Sequence, residues 1–171
     1  MASSGGSRGS LVERMMGAAL LSIGTFEDVE HDESATGQAA LVVVMVAVAG
    51  GIGAWHYGLF GSLRAACFAL VGWAVWAGIT YLIGTKVFEG TATWGELLRT
   101  LGFAQAPGIL FLFRFIPLVG WIIGLVVPLW MLVTGFIAVR QALDFGNAKT
   151  FFTVLIGWIV YVVATVIFFG R

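Results

Sequence analysis

Five carboxylates and a histidine crowd into nine residues, Thr25-Phe26-Glu27-Asp28-Val29-Glu30-His31-Asp32-Glu33. Oxygen ligands at that density could hold a divalent cation. The commoner outcome is a solvated acidic face on a short surface helix, and no metal site is expected. Such a face repels anionic lipid headgroups, so it should look toward water or a basic partner. Phe26, Glu27 and Glu30, with Glu96 and Arg99 further along the chain, are candidate partner-contact or packing residues, and Thr25 and Asp28 stand at capping-box spacing.

The remaining chemistry is sparse. His31 and His56 are the only histidines, and Cys67 is the only cysteine. Nothing has the form of a nucleophile elbow, a P-loop or a zincin helix. His56 lies between Trp55 and Tyr57, where an interfacial aromatic belt accounts for all three. No catalytic residue and no cofactor are expected, and nothing points to nucleic acid. One polar group stands out in an apolar setting, at Gln105-Ala106-Pro107-Gly108. Pro107 lacks an N–H and Gly108 weakens the next turn, so a helix passing through must kink or break. Irregular backbone of this kind either contacts a solute or lets neighbouring helices pack, and packing is the preferred reading. Gly120 and Gly124 have the spacing that permits close helix contact within a bundle or between subunits.

Positioning these groups falls to an unusually apolar chain. Of 171 residues, 60% are apolar and 11% charged, which excludes an ordinary water-soluble monomer. A bilayer crossing takes about 20 apolar residues, and the charged positions leave room for five: about 38–56, 64–84, 94–113, 118–139 and 150–169. The third begins at a capping box, Thr93 with Glu96, and requires Arg99 to snorkel to the surface. Five spans place the termini on opposite sides. Arg8, Arg14, Lys86, Arg99, Arg140 and Lys149 fall on one side, and Arg64, Arg114 and Arg171 on the other. The richer side is expected to be cytoplasmic, putting the N-terminus inside and the C-terminus outside a cell membrane.

Ahead of the spans, residues 1–10 are small and polar and read as a disordered tail. Leu11, Val12, Met15, Met16, Ala19, Leu20 and Ile23 then recur at spacings of three and four. They predict one amphipathic helix over 11–23, lying on the bilayer or on the bundle, within an arm of residues 11–33. The expected class is therefore all-α: an integral membrane bundle of five transmembrane helices over residues 34–171, with an N-terminal amphipathic interfacial helix.

The order of these features resembles a known family. The Thr-Phe-Glu-Asp-Val-Glu segment and the Ala-Thr-Gly-Gln-Ala entry to the first span are followed by Thr-Trp-Gly-Glu-Leu-Leu-Arg-Thr-Leu-Gly-Phe-Ala-Gln-Ala-Pro-Gly and by Ala-Val-Arg-Gln-Ala-Leu-Asp-Phe. Together they look like the prokaryotic branch of the Yip1 family, over about residues 15–169. The resemblance implies five membrane helices and a cytoplasmic N-terminus. Eukaryotic members act in vesicle traffic and bind Rab-type GTPases, but the Asp-Leu-x-Gly-Pro signature before their first helix is absent. The resemblance thus carries architecture further than Rab binding. The expected role is a non-enzymatic scaffold that organises proteins or lipids at the membrane. Its partners would be the bilayer and other proteins or a second copy of itself. A small carrier using the break at Gln105, or an accessory subunit of a larger complex, is the alternative.

Overall fold

A computed structural model describes residues 9–53 and 58–169. The expected aromatic belt at Trp55, His56 and Tyr57 lies outside them, as do Arg8, Arg171 and most of the expected tail. Every regular element among the described residues is helical: α1 (Leu11–Ala19), α2 (Ile23–His31), α3 (Ala35–Gly53), α4 (Gly58–Lys86), α5 (Trp94–Phe103), a 3-10 segment (Ala106–Phe113), α6 (Val119–Ala142) and α7 (Asn147–Phe169). Helices α3 and α6 are long and apolar enough to cross a membrane. Helix α4 extends well before Arg64, because a charge marks where an apolar stretch ends without ending the helix that carries it.

The expected single helix over 11–23 is two helices. Helix α1 stops at Ala19, Leu20 caps it, and Leu21 adopts a left-handed conformation with φ 62°. The Leu21 amide then donates to Ala18 O at 3.1 Å and the Ser22 amide to Gly17 O at 2.9 Å. This pair of bonds is the Schellman motif, which closes a helix whatever its apolar periodicity. Ser22, rather than Thr25, caps α2, its hydroxyl accepting from the Thr25 amide. The two helices fold back on each other closely: a Cβ at Gly17 would collide with Thr25 Oγ1.

The third segment is broken. Its first half is the α5 helix, opened by the capping box of Thr93 and Glu96. Past Gln105 the chain tightens into i→i+3 bonds, including Gly108 N to Gln105 O at 2.8 Å. Pro107, with no N–H to offer, forbids the regular ladder. The whole segment runs along α3. Gly102 lies against Ala39, Gly108 against Val46, and Gly53 against the Phe111 carbonyl, so that any Cβ at these glycines would clash. The contact positions on α3 (39, 46 and 53) repeat every seven residues, one face of a helix.

On its other side α3 exposes Leu41, Val44, Val48 and Ile52, and α6 exposes Val119, Ile122, Val126, Leu129 and Val133. Continuous apolar faces of that size suit an acyl-chain environment. At one end of the bundle Phe26 and Val29 of α2 pack in a core that includes Val42, Leu97, Leu101, Phe103, Val139 and Leu143. Two loops gather at this end as well. Thr91 Oγ1 donates to Asp144, Lys149 Nζ donates to Phe88 O, and Phe88 stacks edge-on against Phe145.

Candidate functional site

The arm is fastened to the bundle by two arginines. Arg14 leaves only 2% of its side chain exposed, although it falls within an amphipathic pattern that would leave it in water. Its Nε donates to Asp28 Oδ2 at 2.9 Å, its Nη2 to Asp32 Oδ2 at 2.7 Å and its Nη1 to Gln38 Oε1 at 3.1 Å. One guanidinium thereby ties α1 to both ends of the turn between α2 and α3, with the planar fork that suits arginine to such a node. Ser34 binds the other oxygen of Asp32 through its hydroxyl and amide. Those bonds from Ser34, with Arg14 behind them, hold the Asp32 carboxyl down to about 2.

Arg99 corrects the expectation of a snorkelling side chain. It is 6% exposed and lies beneath the end of α2, donating from Nε to Val29 O at 3.0 Å and from Nη2 to Glu30 O at 2.5 Å. Nη1 reaches Thr36 Oγ1 at 3.5 Å. The last carbonyls of a helix carry partial negative charge and lack partners within it. A cation there completes α2 and bonds it to α5. Phe26, with no exposed surface, packs into the core, which is the packing alternative of the two roles open to it.

The acidic run is thus divided. Asp28 and Asp32 are engaged by Arg14, while Glu27 and Glu33 stay exposed and Glu30 is half-buried. Glu27 accepts from Gln141 Nε2 at 3.1 Å, linking α2 to α6. Burial pushes the Glu30 carboxyl up to about 6, with Asp144, Glu96 and Glu27 adding to the rise and His31 opposing it. The His31 imidazole is shifted upward, chiefly by its Nδ1 contact with the Glu27 carbonyl and then by Glu30. Glu96 closes the α5 capping box. Glu27, Glu30, Glu96 and Asp144 therefore share one acidic surface at the arm end. Among the described residues no group of three His, Cys, Asp or Glu side chains is arranged to hold a metal ion.

The break in the third segment lies deeper in the bundle. Thr134 on α6 donates its hydroxyl to Ala104 O at 2.6 Å, satisfying a carbonyl that the irregular turn leaves outside the helical ladder. Gln105 lines a cavity of about 420 Å³ together with Trp73 and Trp76 of α4, Phe111, and Pro128 and Met131 of α6. Pro107 and Gly108 are buried against α3 and α6, where a Gly108 Cβ would press on Val46 and Met131. Within the chain, Gly120 and Gly124 both meet Arg114. Gly120 packs on the Arg114 backbone of the preceding turn, and Gly124 lies under the Arg114 guanidinium.

Sequence reasoning missed Arg14, Gln38 and Thr134 as contributors to these contacts. The available signal for Arg14 was the pair Asp28 and Asp32, spaced by four on the helix that follows it.

No curated protein and no solved structure matches the chain. A family model, the Yip1 domain, matches residues 15–169, which takes in the Arg14-bound acidic segment, the break at Gln105 and all of the long helices. Apolar faces on helices of crossing length agree with the membrane association of that family, and the chain belongs to the Yip1 domain family.

Proposed function

We propose that this protein is a non-enzymatic, multi-pass membrane scaffold whose arm presents a fixed acidic platform to basic partner proteins. The observation that carries this reading is the double arginine clamp. Ordering a nine-residue helix costs conformational entropy, and two buried guanidinium groups offset that cost at the end of the bundle. What the clamp leaves accessible is Glu27, Glu33 and, in part, Glu30 and Glu96. The membrane domain would consist of five crossings, the third made from α5 and the 3-10 segment end to end. About 15 Å of α-helix and about 16 Å of 3-10 helix together match a hydrocarbon layer of about 30 Å. The arm and both loops at its end carry Arg14, Lys86, Arg99, Arg140 and Lys149, which favours a cytoplasmic arm in a cell membrane.

Photocrosslinking in native membranes tests the scaffold. A photoreactive residue at position 27 or 33 should capture protein, whereas one at the exposed apolar position 152 should capture lipid. Capture of lipid alone at all three positions would contradict the platform. The cavity beside Gln105 favours a second reading, a small carrier. In that case Gln105→Leu would abolish saturable flux in liposomes without loss of thermal stability. The scaffold reading expects no such flux.

A further inference from the structure

The arm's other end has a different chemistry from its clamp. From Met15 to Phe26 the sequence is MMGAALLSIGTF, without one ionisable side chain. An uncharged run of 10–14 residues is too short to cross a bilayer but long enough to enter and return. The structure folds this run into the α1–α2 turn and the helix ends that flank it. Val12, Met16 and Leu20 form one outward row, 62%, 59% and 72% exposed, continued around the turn by Leu21 and Ile23. Leu11, Met15 and Ala19 face the other way, onto the core.

Two further observations say what covers the outward row. Trp130 Nε1 donates to Ala19 O at 2.8 Å, which fixes the turn against the middle of α6. Trp130 is ten residues from Arg140, so the turn lies about 15 Å along the helix from that polar end, about half of a hydrocarbon layer. Its neighbours on α6, Leu129 and Val133, belong to the exposed apolar face, so the outer row of the arm continues a surface already suited to acyl chains. The second observation is Leu21 itself. The left-handed position of a Schellman motif ordinarily holds glycine, because a β-carbon there crowds the following carbonyl. A leucine at such a position, with its side chain outward, puts apolar surface at the tip at the expense of backbone ease.

We propose that the α1–α2 hairpin is a re-entrant wedge: its tip, Met16 to Ile23, inserts among the acyl chains of the leaflet on the arm's side and goes no further. A wedge in one leaflet spreads that leaflet, so the protein favours bilayers curved toward the arm. The charged end of the same hairpin sets the depth, because Arg14, Asp28 and Asp32 lie at the level where the chain returns to α3.

Depth-dependent quenching tests the wedge on the full chain in phosphatidylcholine–phosphatidylglycerol vesicles. With Cys67 replaced by Ser, a fluorophore is attached at Leu20→Cys or, as an aqueous control, at Glu33→Cys. The label at position 20 should be quenched by nitroxide lipids labelled within the acyl chain and shielded from iodide, and the label at position 33 should behave oppositely. Quenching of position 20 by iodide, with no response to chain nitroxides, would overturn the proposal. The intact protein should be enriched several-fold in small over large vesicles, and a second variant, Met16→Ser with Leu20→Ser, should lose that enrichment. Equal sorting of both proteins would overturn the curvature claim. These outcomes are separable from the scaffold reading, since crosslinking at position 27 does not require the tip to be in lipid.

Discussion

The two ends of the arm are built on opposite principles. At the clamp, two guanidinium groups are withdrawn from water and hydrogen-bonded, Arg14 to Asp28, Asp32 and Gln38 and Arg99 to the carbonyls of Val29 and Glu30. At the tip, apolar side chains are left uncovered by protein, and a leucine occupies a backbone position that glycine would fill at lower cost. A nine-residue helix has little stability of its own. The difference teaches that the arm owes its place to the clamp and its medium to the tip, so the two can be perturbed separately.

The largest effect should come from Arg99. Arg99→Met leaves two carbonyls at a buried helix end without donors, costing about 3 kcal/mol. It should release the arm to protease before it melts the bundle. Arg99→Lys, which can reach one carbonyl but not form the fork, should recover part of the loss. Arg14→Met should cost less, about 1–2 kcal/mol, because the Asp28 carboxylate it abandons is half exposed and can rehydrate, and Asp32, though only 15% exposed, keeps its two bonds from Ser34. If Arg14→Met proved the more damaging of the two, the hydration argument would be wrong.

The reasons these two residues escape sequence reading are physical. The capping box at Thr93 and Glu96 and the break at Pro107 are local: their causes lie within four residues, and both are legible in the chain. Uncharged stretches likewise announce the long helices. Arg99 bonds to residues 69 and 70 positions away, and nothing near it in sequence distinguishes a cap for a distant helix from a snorkelling side chain. The α1–α2 turn is hidden for another reason. Apolar spacing continues unbroken from Leu11 to Ile23, and the residue at the left-handed position is not the glycine that marks such a turn. Gly120 and Gly124 show the converse, a familiar spacing that within the chain meets the turn at Arg114.

At the tip, Leu21→Gly should separate stability from insertion. Relief of the left-handed strain is expected to stabilise the folded protein by about 1 kcal/mol, read as a higher melting temperature in detergent. The same change removes an apolar side chain and should weaken quenching by chain-labelled lipids at position 20. A variant both less stable and equally inserted would contradict the assignment of Leu21 to the lipid.

The smallest effect is the response of the clamp to pH. Glu30 titrates near 6 in the folded protein against an ordinary value of 4.5, and His31 is also shifted upward. A folded form that binds protons more tightly than the unfolded chain loses stability as pH rises through that interval. Protease resistance of the arm should therefore fall modestly between about pH 4.5 and 6 through Glu30, and Glu30→Gln should remove that slope, whereas the contribution of His31 is lost only as pH rises above 6.5. Asp32, held down to about 2 by Ser34 and Arg14, acts in the opposite sense, its contribution being lost only as pH falls below about 4.

Amide hydrogen exchange of the intact protein in lipid nanodiscs tests most directly whether the arm is a fixed part of the membrane domain. The clamp predicts that the amides of Phe26 to His31 in α2 exchange orders of magnitude more slowly than an unstructured chain, approaching the protection of α3, and that Arg99→Met abolishes this while α3 stays protected. Exchange of these amides at the unstructured rate in the unaltered protein would contradict the account.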